Sequence, residues 1–279
     1  MKRLLFLSAV LVSGLVIRAS IPAGFAAMPQ IINVSAYDPK EKQRSGASYS
    51  ARDVSALRAN GARGLIARAG KGGNLDEKCA TFLASADRVG MLPGVYYRLQ
   101  THVDAVTQAD QFIARAQSLA RSRSWNSPAL LLCADFDAKS RLTDILRFMD
   151  RIESRTGVVP VAYLENSAHL KSLLSNASAA TKAKLRRMPY WLALYSHQTG
   201  AASPGALLKQ YDVWPEWTLW QYGGVDWERG ASRPKVYSYG SYHFPRYFGN
   251  LDRPVERNVF NGSQAALRTF WNRHGLKLN

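Results

Sequence analysis

The segment Leu130-Leu-Leu-Cys-Ala-Asp-Phe-Asp137 runs from an apolar strand directly into two acids. Side chains alternate along a strand, so Asp135 and Asp137 are expected to point the same way, with α-carbons about 6.6 Å apart. Such a pair suits glycoside hydrolysis: one carboxyl group protonates the departing oxygen while the other serves as base, nucleophile or charge stabiliser. Mutual repulsion helps to hold one proton on the pair near neutral pH. The same two residues equally fit a cap on the next helix or a cation site, and the pair alone does not choose among these.

A second candidate segment is Trp217-Thr-Leu-Trp-Gln-Tyr222. Alternation puts Trp220 and Tyr222 on one face and Gln221 on the other, and aromatic faces stack on the apolar patches of sugar rings. A buried aromatic strand explains the same pattern. His102, His169, His197, His243 and His274 show no metal-ligand spacing with one another or with Cys79 and Cys133, so no metal or other cofactor is expected. Phosphate loops, dinucleotide fingerprints and serine elbows are absent from the sequence, and the ligands of a zinc amidase cannot be assembled.

These residues need a frame to hold them. Short β-forming runs at 30–35, 64–68, 93–97, 130–135, 159–163, 190–195 and 217–222, with an eighth near 258–260, alternate with amphipathic stretches. The latter predict helices at 51–60, 76–89, 104–120, 142–155, 165–175 and 263–273, several of them ending at a glycine such as Gly61, Gly90 or Gly157. The alternation marks a parallel α/β sheet, and seven or eight strands suggest a barrel, in which Asp135 and Asp137 fall on the carboxyl-end rim. Residues 39–50 read as a polar loop. Residues 223–255 read as a long loop, in which Tyr237, Tyr239, Tyr242, Phe244, Tyr247 and Phe248 interleave with Arg233, Arg246 and Arg253. A loop of that length is usually functional or disordered, and its aromatics argue against disorder.

The chain begins Lys2-Arg3, continues through an apolar run from Leu4 to Ile17, and reaches the small residues of Pro22-Ala-Gly-Phe-Ala-Ala27. This predicts a secretory signal over 1–27, cut after Ala26 or Ala27, with a single barrel domain over 28–279. An uncut anchor is the alternative, but the run is shorter than the roughly 20 residues needed to span a bilayer. Export to the periplasm or the medium, with no stable membrane insertion after cleavage, is expected. The formal charge of +17 falls by the three charges of Lys2, Arg3 and Arg18 to +14, which attracts polyanions such as wall polymers and acidic lipids. No nucleic-acid recognition motif appears, and a monomer is expected. The two cysteines read as unpaired buried thiols, although one disulfide is open to them.

Taken in chain order, the segments resemble glycoside hydrolase family 25, the Chalaropsis-type lysozymes. Ile31-Ile-Asn-Val-Ser35 resembles the family's opening Gly-Ile-Asp-Val-Ser, and Gly61-Ala-Arg-Gly-Leu-Ile-Ala-Arg-Ala69 its second strand. Gly94-Val-Tyr-Tyr97 is similar to its Gly-x-Tyr-His, and Gln108-Ala-Asp-Gln-Phe112 to its Gln-Ala-x-x-Phe. Thr156-Gly-Val-Val-Pro-Val-Ala-Tyr163 is similar to Thr-Gly-x-x-Pro-x-x-Tyr, while Trp217 to Tyr222 resembles its Trp-Gln-Tyr strand. Val255-Glu-Arg-Asn-Val-Phe260 is similar to the closing Val-Asp-x-Asn-x-Phe.

The resemblance implies a distorted TIM-like α/β barrel of eight strands and fewer helices. It also implies metal-free cleavage between N-acetylmuramic acid and N-acetylglucosamine, with peptidoglycan or a related amino-sugar polymer as the partner. By position, Asp135 takes the place of the first acid of the family's Asp-x-Glu, and Asp137 that of its proton donor. Glu256 stands at a late aspartate and Asn33 at an early one. Tyr96, Tyr97, Arg98, Tyr163, Tyr195, Trp220, Gln221 and Tyr222 are then expected to bind saccharide. Four departures stand out: Asp137 is a methylene shorter than glutamate, Asn33 cannot ionise, Tyr97 replaces a histidine, and the 223–255 insertion is long. Asn33 and the shortened Asp137 support an alternative in which an impaired barrel binds wall saccharide without turnover.

Overall fold

The computed structural model describes residues 27–38, 48–195, 203–226, 235–238 and 255–278. The export signal expected at 1–27 lies outside them apart from its last residue, as do most of the 39–50 loop and most of the 223–255 insertion.

The strands are β1 (Gln30–Val34), β2 (Ala62–Lys71), β3 (Asn74–Leu75), β4 (Leu92–Leu99), β5 (Ala129–Phe136), β6 (Val161–Leu164), β7 (Tyr190–Ala193), β8 (Leu219–Asp226), β9 (Lys235–Ser238), β10 (Glu256–Phe260) and β11 (Gly275–Lys277). The helices are α1 (Ala51–Ala59), α2 (Cys79–Arg88), α3 (Ala105–Arg121), α4 (Leu142–Thr156), α5 (Ala168–Ser175), α6 (Ala179–Leu185), α7 (Pro204–Tyr211) and α8 (Gln264–Arg273). Strands β1, β2, β4, β5, β6, β7, β8 and β10 close into a ring, the expected distorted TIM-like α/β barrel. Neighbours from β1 round to β8 are parallel, whereas β10 runs antiparallel to both β8 and β1. The reversal matters for chemistry: it brings the first residue of β10, Glu256, to the rim where the other barrel strands end.

The distortion lies in the connections. Helices α5 and α6 share the β6–β7 crossover, none is described between β8 and β10, and α8 follows the last barrel strand. Eight helices are present among the described residues, two more than the periodicity predicts. The additions, α6 and α7, are short but carry readable starts, Ser178 and Ser203 accepting from Thr181 N and Ala206 N, the latter followed by Pro204. The segment read as a loop from 223 onward is corrected at its start. Strand β8 continues to Asp226 and pairs antiparallel with β9, Gly223 facing Ser238 and Asp226 facing Lys235.

Two apolar layers follow from alternation. Outward residues such as Val95, Tyr97, Leu132, Leu192 and Trp220 pack under the helices. Inward residues such as Ile31, Ile66, Leu131, Cys133, Val161 and Leu219 fill the barrel. Trp271 of α8 joins that inner layer, and its indole N–H donates to Pro93 O at 2.6 Å. Gly64 and Gly94 leave it room, since a β-carbon there would lie 2.9 Å and 3.2 Å from the Trp271 ring. Cys79 and Cys133 are buried and unpaired, as read from the sequence. Among the described residues no helix is long and apolar enough to cross a membrane.

Candidate active site

The inward alternation that fills the barrel with aliphatic side chains turns polar at the carboxyl-end rim. Asn33 (β1), Tyr96 and Arg98 (β4), Asp135 (β5), Tyr163 (β6), Trp191 (β7), Gln221 (β8) and Glu256 (β10) line one cavity of about 70 Å³. Ligand pockets usually start near 300 Å³. This cavity is therefore too small to enclose a whole sugar ring.

A chain of hydrogen bonds fixes the wall formed by β1, β8 and β10. The Trp191 indole N–H donates to Asn258 Oδ1 at 2.8 Å, and Asn258 Nδ2 donates to Ile31 O at 3.1 Å and to Asn33 Oδ1 at 2.7 Å. Gln221 Nε2 also donates to Asn33 Oδ1, at 3.3 Å, while its own Oε1 accepts from the Tyr163 hydroxyl at 2.8 Å. Asn33 Nδ2 in turn donates to Glu256 Oε2. The Tyr163 and Trp191 rings meet edge to face, 5.2 Å between centroids.

The facing wall carries charge. Arg98 donates to Glu165 Oε1 at 2.6 Å and stands 3.8 Å from Asp135 Oδ2. Asp135 is 6% exposed, and among the described residues its Oδ1 has no hydrogen-bond partner. Burial pushes Asp135 up to about 6 against the pull of Arg98, with Glu165 adding to the rise. Burial pushes Glu256 further, to about 8, reinforced by the nearby carboxyl group of Asp38 and opposed by the Asn33 amide. Asp38, raised to about 6 by burial, accepts from Ser35 N at 2.8 Å. Beside it the buried pair Arg68–Asp76 closes at 2.6 Å.

Asn33, Tyr96, Arg98, Asp135, Tyr163, Gln221 and Glu256, all named from the sequence, are thus brought together. Five others are placed elsewhere. Asp137 lies just past the end of β5, so strand alternation no longer sets its direction. Its Oδ1 accepts from Lys139 N at 2.9 Å and its Oδ2 from Gln100 Nε2 at 3.2 Å. Gln100 lines a separate cleft of about 440 Å³ with Tyr37, Lys71, Leu75 and His102. Tyr97, Trp220 and Tyr222 correct the saccharide-binding expectation, because all three face the outer core. The Tyr97 hydroxyl accepts from Gly73 N at 2.8 Å, Trp220 Nε1 donates to Leu194 O at 3.0 Å, and the Tyr222 hydroxyl donates to Gln30 Oε1 at 2.6 Å. Tyr195 is half-buried near Tyr163 and Gly224, outside the lining of the small cavity.

The sequence reading missed Glu165, Trp191, Asn258 and Asp38. Trp191 carried a usable signal, since it lies in the predicted 190–195 strand four residues before Tyr195; Glu165 lies one residue past the end of β6, where alternation sets no direction. Asn258 also carried a signal, since it stands at the asparagine of the closing Val-Asp-x-Asn-x-Phe resemblance, two residues from Glu256; Asp38 gave none, because it lies in a turn after β1. A hollow of about 510 Å³ among Arg186, Leu208, Lys209, Asp212 and Trp214 holds none of the rim acids.

Fold and site together define an α/β barrel with two carboxyl groups, Asp135 and Glu256, facing one small cavity at its carboxyl-end rim. The family model for glycosyl hydrolases family 25 matches residues 45–231, more than half of the sequence, and the chain belongs to that family. Asn33 and Glu256 lie outside the matched segment. The fold is shared with a bacterial lysozyme from Streptomyces coelicolor, at 18% identity and TM-score 0.58 over 90% of this chain and 100% of that one. It is also shared with a family 25 glycosyl hydrolase from Bacillus anthracis, at 14% identity and TM-score 0.56 over 91% and 97%. The spore cortex lytic enzyme of Clostridium perfringens matches at 20% identity and TM-score 0.59 over 86% and 69%. No curated protein matches the chain.

Proposed function

We propose that this chain is an exported muramidase that hydrolyses the bond between N-acetylmuramic acid and N-acetylglucosamine in peptidoglycan. The observation that carries the reading is the rim cavity of a family 25 barrel, where Asp135 and Glu256 face one space and their environments push them up to about 6 and about 8. Glycosidic cleavage needs one ionised and one protonated carboxyl group at the scissile bond, and between those values such a pair carries one proton. Ionised Asp135 stabilises positive charge at the sugar, and Arg98 with the Tyr163 and Trp191 rings holds the saccharide over the mouth. The net positive charge draws the enzyme to an anionic wall. Among the described residues no group of three histidine, cysteine or acidic side chains is arranged to hold a metal ion.

Asn33 and the diverted Asp137 favour a second reading, a wall-saccharide binder without turnover. Incubation of purified peptidoglycan with residues 28–279, followed by mass spectrometry of released fragments, separates the two. Muropeptides ending in reducing muramic acid are expected. Retention on the wall without release supports the binder, and fragments ending in another reducing sugar refute the assigned bond.

A further inference from the structure

Resting on the glycosidase reading above, we propose that Glu256 is the proton donor of the reaction, with its acidic hydrogen on Oε1, and that Asn33 is the positioning residue that puts it there.

The argument starts from two groups whose hydrogen-bonding sense is fixed. An indole N–H only donates and a backbone carbonyl only accepts. Trp191 Nε1 meets one side-chain atom of Asn258 and Ile31 O meets the other, so Asn258 has its oxygen toward Trp191 and its amide nitrogen toward Ile31 and Asn33. The Asn33 atom facing that nitrogen must therefore be the acceptor, Oδ1, a position that Gln221 Nε2 also addresses. The Asn33 amide nitrogen is left to donate to Glu256 Oε2. An oxygen that receives this hydrogen is the acceptor of the carboxyl group, so the proton of neutral Glu256 belongs on Oε1. Among the described residues Oε1 has no hydrogen-bond partner, and Glu256 lines the rim cavity.

An aspartate at position 33 would behave differently. It would accept from Asn258 and also present an acceptor to Glu256, drawing the Glu256 proton onto Oε2, into the barrel wall and away from substrate. The asparagine, which looks like a lost acid in the sequence, turns the proton outward. Asp137 cannot compete from where it lies, since both its oxygens accept from N–H donors and it is absent from the cavity lining.

The charged and titratable groups around Glu256 are consistent with a neutral acid. Asp38 in the segment after β1 and Asp135 on β5 disfavour its ionisation, Arg98 on β4 favours it, and Tyr96 and Tyr163 stay neutral beside it. In the reaction the C1–O bond breaks with its electron pair going to the departing oxygen, which takes the Glu256 proton. The Asp135 carboxylate stabilises the cationic sugar, water adds at C1, and the water's proton returns to Glu256. One bond is hydrolysed and the resting state is restored.

The test uses residues 28–279 with purified peptidoglycan and with an aryl β-glycoside of the same saccharide carrying a dinitrophenolate leaving group, which departs without a proton. Glu256→Gln keeps the shape and the Asn33 contact. It is expected to lose roughly 10²- to 10⁴-fold in kcat/KM on peptidoglycan, with a far smaller loss on the aryl glycoside, whereas Asp137→Asn affects both substrates alike. Asn33→Asp is expected to move the basic limb of the pH profile upward, which a merely structural role would not do. The proposal is overturned if Asp137→Asn shows the leaving-group-selective loss, or if Glu256→Gln loses both substrates equally while melting as the wild type does. A wild-type protein inert on both substrates overturns the glycosidase reading itself. Carbon-13 titration of the glutamate carboxyl groups then gives a readout independent of turnover: a Glu256 signal already ionised at pH 7 refutes its role as acid.

Discussion

Glu256→Gln has a consequence for stability that requires no substrate. The wild-type carboxyl group is raised from 4.5 to about 8 in the folded chain, principally by burial. For an acid raised in this way, the folded state's advantage is fully present below pH 4.5 and is lost as pH rises to about 8, because the unfolded chain releases the proton first. At 1.36 kcal/mol per unit the rise corresponds to at most about 5 kcal/mol. Water at the cavity mouth screens the charge, which brings the expected effect to about 2 kcal/mol. Glutamine does not titrate, so the variant escapes the loss. Urea denaturation at pH 5 and pH 8.5 should show wild type and variant close together at the lower pH and the variant ahead by about 2 kcal/mol at the higher. Asp38 and Asp135 titrate in both proteins and largely cancel from the difference. If the gap between the two proteins is the same at both pH values, Glu256 is not a buried neutral acid, and the electrostatic account of the site fails with it.

Activity on peptidoglycan should follow a bell, with an acid limb near 6 where Asp135 ionises and a basic limb near 8 where Glu256 does, read from kcat/KM against pH. Glu165→Gln removes a charge that raises Asp135 and frees Arg98 from its 2.6 Å partner, so the acid limb should move to lower pH. An acid limb that stays in place would show that Arg98 is not shared between the two carboxylates. Trp220→Ala should cost about 3–5 kcal/mol of stability in denaturant, because it empties a buried site under the helices. The KM of the fraction that folds should be unchanged, and a large rise would return Trp220 to the saccharide surface.

The sequence by itself determined the barrel and the rim. Periodicity in apolar runs and helices is a local property, and all eight barrel strands were visible as such runs. The ordered family-like segments singled out Asn33, Asp135 and Glu256 as site positions, and alternation put Gln221 opposite Trp220 and Tyr222. Alternation states which residues share a face but not which face turns inward when both are apolar, as in Leu219–Tyr222. For that reason both faces of the segment are expected at saccharide, Trp220 and Tyr222 as well as Gln221, whereas ring closure turns only the glutamine to the cavity. It also says nothing beyond a strand's last residue, so Asp137 read as the twin of Asp135 until the turn at Lys139 drew its carboxylate aside. The roles of Asn33 and Glu256 were beyond the sequence for a further reason. They are 223 residues apart and become register partners only because β10 enters the barrel antiparallel to β1. Direction of entry is a property of the closed sheet, and it decided that the residue resembling a missing acid is the one that aims the proton.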